Sequence, residues 1–154
     1  SYSFSIAYKK TIRLEIFSST HWIDELFDGK LLTTTKCDGC LEGDEFEEEF
    51  FEIVLGSGYP VKYLEGPLEI GKQLWSHYFA PSDFDIDINC CKNFRLKASK
   101  KLITSPQILV LKIDRSSLKN ASISAPFKLT KPELGGCTYQ LKGMVQLRTA
   151  HYTA

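Results

Sequence analysis

The apolar positions of this chain recur at spacings that predict two short helices among a larger number of β-strands. Residues 20–29 carry one apolar stripe at helical spacing, with Thr20 placed to cap the helix and Gly29 placed to end it. A second helical pattern begins at Pro67 and stops before Pro81. Both helices are one-sided in their apolar residues, so each is expected to dock on a core.

Most of the remaining apolar pattern is typical of strands. Residues 31–36 are rich in β-branched side chains, and residues 49–55 alternate as one continuous strand would. Residues 108–113 are almost all apolar, which indicates a central strand buried on both faces. Residues 127–129 predict a short strand, and residues 139–147 predict a long one with strict alternation. In the 49–55 strand one face carries Phe51, Ile53 and Leu55 and the other carries Phe50, Glu52 and Val54. In the last strand the residues expected to face inward are Tyr139, Leu141, Val145 and Leu147.

The composition is that of an ordinary globular domain. The chain has 154 residues, of which 43% are apolar and 25% are charged, so one domain is expected. It contains no apolar stretch near the roughly 18 residues that span a bilayer, and its start lacks a secretory leader pattern. We therefore expect no membrane partner and a cytoplasmic or nuclear location. The sequence opens on Ser1 and stops within a strand-like segment, residues 150–154, which suggests a domain truncated at both ends.

The net charge of zero hides a strong asymmetry along the chain. Residues 1–91 hold 7 basic and 17 acidic side chains, a net of −10, whereas residues 92–154 hold 12 and 2, a net of +10. The densest acidic stretch includes Glu47, Glu48 and Glu49, which would attract a basic partner or simply form a solvated strand face. The basic half lacks the aromatic residues that accompany lysines in nucleic-acid-binding motifs, so no nucleic-acid partner is expected.

The five cysteines suggest metal binding rather than a disulfide framework. Cys37 and Cys40 form a C-x-x-C knuckle, a spacing at which two thiolates converge on one tetrahedral zinc ion. Cys90 and Cys91 are candidates for the remaining ligands, but adjacent residues alternate sides in an extended chain, so this second pair is expected to be incomplete. One of them could still be a third ligand, with His77 or Asn93 as a poor fourth ligand. Zinc is therefore a possible cofactor, and Cys137 is expected to be an ordinary turn or strand thiol.

The order of these landmarks resembles the catalytic domain of the ubiquitin-specific proteases. The matching segments are FDGKLLTTTKCDGC (27–40), EEEFFEIVL (47–55), NCCKNFRLKASKK (89–101), SPQILVLKIDR (105–115), YQLKGMV (139–145) and AHYTA (150–154). They are similar, in turn, to the family's F-x-G entry with its first zinc knuckle, its acidic-aliphatic strand, the region of its second zinc pair, its P-x-x-L strand, its Y-x-L strand and its G-H-Y box. Together they cover about residues 20–154.

The resemblance implies an α+β, papain-like cysteine peptidase fold with fingers and palm, mainly antiparallel β with short helices. The fingers region, with an intervening helix, would span about residues 31–104 and the palm strands about residues 105–154. His151 would be the general base of a thiol-dependent deubiquitinase, and Tyr152 would contact substrate beside it. Glu47, Glu48 and Glu49 would face the basic surface of ubiquitin, the implied partner, free or attached to other proteins. Cys37, Cys40, Cys90 and Cys91 would be the metal positions.

Departures from the family pattern leave two other interpretations open. No cysteine precedes Cys37, so the family's nucleophile has no counterpart in this sequence, and Ala150 replaces the usual glycine before the histidine. The third triad member would lie beyond Ala154. A pseudoenzyme that binds ubiquitin or a ubiquitin-like modifier without cleaving it would account for these differences. A small zinc-stabilised interaction module unrelated to ubiquitin would account for the knuckle alone.

Overall fold

Twelve strands and several short helical segments make up the described part of the chain. The computed structural model describes residues 3–10, 22–60, 66–84, 96–118, 121–148 and 151–153. The strands are β1 (Ser3–Lys10), β2 (Gly29–Cys37), β3 (Glu45–Phe50), β4 (Glu52–Leu55), β5 (Leu68–Glu69), β6 (Ser82–Phe84), β7 (Leu96–Thr104), β8 (Ile108–Asp114), β9 (Ile123–Ser124), β10 (Lys128–Thr130), β11 (Thr138–Arg148) and β12 (His151–Thr153). The helical segments are α1 (Trp22–Phe27), a π-helical turn (Ile70–Leu74) that runs into α2 (Trp75–Phe79), and a 3-10 turn (Pro132–Leu134).

These strands form two main sheets and one small pair. The large sheet has the order β10-β11-β1-β8-β4, with β12 pairing with β11, and the small sheet has the order β3-β2-β7-β6. Every pairing in the two sheets is antiparallel except that of β4 with β8, and β5 and β9 form a separate parallel pair. The protein is thus an α+β structure in which antiparallel sheets predominate.

The strand β1 is central to the large sheet, although the sequence analysis assigned no element there. It pairs with β8 on one side and with β11 on the other. Ile6 and Tyr8 are fully buried, and both lie at alternate positions of the strand. That period of two was visible in the sequence, so the alternation alone could have identified this strand.

The prediction of one continuous strand over residues 49–55 was wrong. The chain bends at Phe51, which leaves β3 in the small sheet and β4 in the large sheet. Phe50 is buried and packs directly over Gly29, the residue opposite it in β2, whereas the Phe51 side chain is 58% exposed. The chain therefore changes sheets at these two adjacent aromatic residues. Phe50 is buried against the small sheet, and after the bend Ile53 and Leu55 are buried in the large sheet.

The long strand predicted over residues 139–147 is β11, but its alternation shifts partway along. Tyr139 is buried as expected, whereas Val145 is 41% exposed. Opposite β1 the register passes from Leu141 to Gly143, so that Lys142 is an extra residue in a β-bulge. One inserted residue shifts the alternation, so that Met144 rather than Val145 is paired with the buried Ile6, although Met144 is itself 47% exposed.

The core lies between the two sheets and is closed by the helical segment of residues 70–79. Leu74, Trp75 and Phe79 are buried there, with the Trp75 and Phe79 rings 4.8 Å apart. The second predicted helix is confirmed from Ile70 onward, whereas Leu68 and Glu69, which the prediction included, form β5. The central position of β8 is confirmed, but its burial alternates: Leu109, Leu111 and Ile113 are fully buried, and the residues between them are half-buried. In the described part of the chain, each helix falls short of the length and apolar content that crossing a membrane requires.

Candidate functional site

The predicted histidine box lies on the last strand of the large sheet. His151 begins β12 and is in register with Arg148 of β11, and Tyr152 is in register with Leu147. The side chains of His151 and Tyr152 lie outside the described part of the structure. Their backbone places both residues beside the C-terminal end of β11.

The cysteine closest in sequence to this box is far from it in space. Cys137 immediately precedes β11, whereas His151 lies opposite Arg148 at the other end of that strand. The intervening strand is extended, so the two positions are roughly 30 Å apart. A thiol must be within hydrogen-bonding reach of its general base, and Cys137 therefore cannot serve His151 as a nucleophile.

The C-x-x-C segment forms a tight turn at the tip of the small sheet. The N–H of Gly39 donates to Sγ of Cys37 at 3.4 Å, and the N–H of Leu41 donates to the Cys37 carbonyl oxygen at 3.1 Å. Cys37 is only 1% exposed, whereas Cys40 is exposed. The Cys37 sulfur therefore accepts one backbone N–H from within the turn.

Two of the four predicted metal positions, Cys37 and Cys40, lie among the described residues. Those residues contain no cluster of three or more side chains suited to hold a metal. Cys90 and Cys91 fall within residues 85–95, outside the described part of the chain. His77, the poor fourth ligand, packs edge-on against Tyr59 with ring centroids 5.1 Å apart. Two thiolates at C-x-x-C spacing nevertheless match the donor chemistry of zinc.

The three predicted acidic contact residues do not share one surface. Cross-strand pairs have their side chains on the same face, and Glu48 is opposite the buried Leu31, which puts Glu48 on the inner face of the small sheet. Glu47 and Glu49 project from the outer face, where Oε1 of Glu49 is 3.6 Å from Nζ of Lys30. A partner on the outer face would therefore meet Glu47 and Glu49 but not Glu48.

Folding also reduces the charge asymmetry that the sequence displays. The acidic β3 and the basic β7 both pair with β2, so Glu47 and Lys101 lie in one cross-strand row with Leu32 between them. Two strand spacings amount to about 9.6 Å, which is close to the Debye length at physiological salt. The opposite charges of the two halves therefore partly offset one another within the small sheet.

A cleft that the sequence analysis did not identify lies where the two sheets approach each other. Its volume is about 620 Å³, within the size range of ligand-binding pockets. One wall consists of the outer residues of β4 and the glycine turn after it, and the other consists of α2, the start of β6 and one lysine of β7. The lining residues are Glu52, Val54, Gly56, Ser57, Gly58, His77, Tyr78, Ser82 and Lys100.

The turn after β4 depends on glycine. Gly56 has a φ of +87°, and a Cβ there would lie 2.8 Å from the Asp114 carbonyl oxygen. Gly58 has a φ of +66° with open space around it. A left-handed backbone at both positions turns the chain sharply, and the close approach at Gly56 fixes the turn against the end of β8.

Tyr78 and Lys100 form the polar centre of the cleft. Nζ of Lys100 is 4.3 Å from the centroid of the Tyr78 ring, a cation–π contact. Burial, with a smaller contribution from the negative charge of Glu48, raises the pKa of Tyr78 to about 12, so its hydroxyl is protonated at neutral pH. The other acidic residue at the cleft, Glu52, has Oε1 3.5 Å from Nζ of Lys112. Lys100 has no ion pair in the described structure.

The cleft and the histidine box are on opposite edges of the large sheet. β4 is one terminal strand, and β12 pairs with β11 four strand spacings away, a separation of roughly 19 Å. No family model matches this chain, and no curated protein matches it. The sequence carried a weak signal for the cleft, since His77 and Tyr78 lie on the predicted helix, but nothing local indicated that Lys100 would meet them.

Proposed function

We propose that this chain is the fingers and palm portion of a ubiquitin-specific protease domain, with a papain-like fold. The small sheet would be the fingers, and the large sheet would be the palm that carries His151. The observation that carries the proposal is the knuckle: β2 runs directly into Cys37 and Cys40, and the Gly39 N–H donates to the first sulfur. This arrangement suits the first half of a zinc site at the tip of a β-sheet.

In this proposal, the reaction is hydrolysis of the isopeptide bond after the C-terminal glycine of ubiquitin. A cysteine thiolate attacks the glycine carbonyl, and the resulting tetrahedral intermediate expels the lysine amine, which takes its proton from His151. Water, deprotonated by the same histidine, then hydrolyses the thioester and regenerates the thiol. Because Cys137 is distant from β12 and the other four cysteines would be the metal positions, the nucleophile would come from a part of the protein outside this sequence.

Zinc would have a structural role in this proposal. Cys37 and Cys40 would hold it together with one or both of Cys90 and Cys91, and the ion would hold the tip of the small sheet in place. Such sites contribute directly to folding stability, so removing the metal would loosen the fingers without touching the reacting groups.

Ubiquitin binding by the 154-residue chain tests whether this protein recognises ubiquitin. Titration of ¹⁵N-labelled ubiquitin should give a saturable set of shifted amides on one face. Glu47→Lys should weaken binding at least about fivefold if the outer face of the small sheet contacts the basic surface of ubiquitin. Glu25→Lys, on the exposed side of α1, makes the same change in net charge and should have little effect. Equal weakening by both variants would mean that only long-range attraction is involved.

Labelling of the protein from its native source tests whether it is a thiol-dependent hydrolase with His151 as its general base. A ubiquitin with a thiol-reactive C-terminus should add one ubiquitin mass to a parent heavier than the 17.5 kDa of this chain. In that same parent, His151→Ala should abolish hydrolysis of a ubiquitin amide while leaving ubiquitin affinity unchanged. Hydrolysis that survives His151→Ala would contradict the assignment of the base.

A catalytically inactive ubiquitin-binding protein is the second candidate. One observation favours it: of the five cysteines in this sequence, Cys137 is far from the histidine box and the other four are the predicted metal positions. In this case the native protein would bind ubiquitin, with or without zinc, but would gain no mass from the thiol-reactive ubiquitin. The labelling experiment therefore separates the two proposals.

A further inference from the structure

The terminal strand β4 presents an open edge beside the cleft. In the described structure β4 pairs with β8 alone, so half of its backbone N–H and C=O groups face away from the sheet. Its side chains Glu52 and Val54 are exposed and line the cleft, whereas Ile53 and Leu55 are buried. An edge of four residues offers about 13 Å for pairing with another extended segment.

Lys100 supplies a positive charge in this cleft that could bind a ligand carboxylate. Glu52 is engaged by Lys112, whereas the ammonium of Lys100 has only the Tyr78 ring as a partner in the described structure. Glu48 is on the same face of the small sheet as Lys100 but forms no ion pair with it. Ser57, Ser82 and His77 add polar groups to the same walls. A ligand carboxylate placed over Lys100 would complete a charge-assisted hydrogen bond, with the protonated Tyr78 hydroxyl as a neighbouring donor.

We propose that the cleft binds an extended acidic peptide segment, which adds a strand to the outer edge of β4 and places a Glu or Asp side chain against Lys100. Backbone hydrogen bonds to β4 would supply a sequence-independent part of the affinity, and Lys100 would supply the preference for an acidic residue. The glycine turn at residues 56–58 leaves space at the end of the strand, since a Cβ added at Gly58 would have no atom within 4 Å. This site is independent of ubiquitin and lies roughly 19 Å from the strand that carries His151.

Fluorescence anisotropy with short labelled peptides tests the proposal. The probe is the heptapeptide Thr-Val-Thr-Glu-Thr-Val-Thr, acetylated and amidated so that the Glu side chain is its only carboxylate. Two comparison peptides carry Gln in place of Glu, or N-methyl groups on alternate backbone amides. The Glu peptide should bind saturably, the Gln peptide should bind at least about tenfold more weakly, and the N-methylated peptide should not bind.

Two lysine variants provide the matched comparison. Lys100→Gln should weaken binding of the Glu peptide at least about tenfold and should remove the difference between the Glu and Gln peptides. Lys101→Gln changes the next residue, which faces the opposite side of β7, and should leave binding unchanged. Equal thermal unfolding midpoints for the two variants would show that both are folded. In ¹⁵N spectra of the chain, the Glu peptide should shift the amides of Val54 and Gly58.

Several results would overturn the proposal. Binding that Lys100→Gln leaves unchanged would remove the assigned charge contact. N-methylated peptide that binds as well as the parent would rule out strand addition, and no saturable binding up to 1 mM peptide would rule out the site altogether. Amide shifts confined to the knuckle or to the outer face of the small sheet would place the peptide elsewhere. Because none of these measurements uses ubiquitin, their failure would leave the proposed function untouched.

Discussion

Two threonines on the inner face of β2 provide a matched test of how this core tolerates polar groups. Thr33 and Thr35 are 2% and 6% exposed, and they are two residues apart on the same strand face. Oγ1 of Thr35 is 3.2 Å from both the carbonyl oxygen and the amide nitrogen of Asp44. Oγ1 of Thr33 is buried without a hydrogen-bond partner in the described structure. The same substitution, Thr to Val, should therefore have opposite effects at the two positions.

The expected magnitudes follow from the desolvation of a hydroxyl. A buried polar group without a partner costs about 1–3 kcal/mol, so Thr33→Val, which keeps the side-chain shape, should stabilise the protein by about 1 kcal/mol. Thr35→Val removes hydrogen bonds, each worth about 1 kcal/mol net, and should destabilise by about 1–2 kcal/mol. For a chain of this size each kcal/mol corresponds to about 2–4 °C in the unfolding midpoint.

Urea unfolding followed by circular dichroism measures both variants against the parent. Equal m-values would show that the denatured states are comparable, so that the difference in midpoint reports on the folded state. The double variant should give the sum of the two effects if the hydroxyls do not interact. A Thr33→Val variant that loses as much stability as Thr35→Val would refute the reasoning, because it would mean that the Thr33 hydroxyl makes a favourable interaction.

Three further predictions concern backbone strain and ionisation. Leu41 has a φ of +63° and is 66% exposed, so Leu41→Gly should stabilise by about 0.5 kcal/mol in thermal unfolding, since relief of strain exceeds the added chain entropy. A Cβ at Gly43 would lie 1.8 Å from the Thr35 carbonyl oxygen, so Gly43→Ala should destabilise by more than about 2 kcal/mol. Gly143→Ala, with open space around it, is the control and should be nearly neutral. Burial raises the pKa of Tyr78 from 10.0 to about 12, so the fold favours the neutral phenol; this stability is present below pH 10 and is lost as pH rises through 12. Unfolding free energies measured from pH 9 to 12 should fall less steeply for Tyr78→Phe, and identical slopes would contradict the assignment.

Local pattern was sufficient to predict much of the secondary structure. The helix at residues 22–27, the strand that leads into the knuckle and the strand over residues 108–114 were all identified from periodicity and turn residues. The knuckle was identified as well, because a C-x-x-C spacing fixes a turn within four residues. These features depend on interactions between residues close in sequence, which is why the sequence alone could predict them.

The features that position the candidate sites depend on contacts between distant segments. The alternation of apolar and polar residues over 49–55 continues through the bend at Phe51, so the sequence does not show that the strand divides there. The division becomes visible only in the structure, where Phe50 is buried in the small sheet and Ile53 in the large sheet. The bulge at Lys142 shifts an alternation that is regular in the sequence, because the pairing with β1 determines which residues of β11 lie opposite the buried residues of β1. The cleft arises in the same way, since Lys100 of β7 meets Tyr78 of α2, a residue distant from it in the sequence. The periodicity of apolar residues shows which residues of a segment share a face. Which other segment covers that face depends on packing between segments that are tens of residues apart in the sequence.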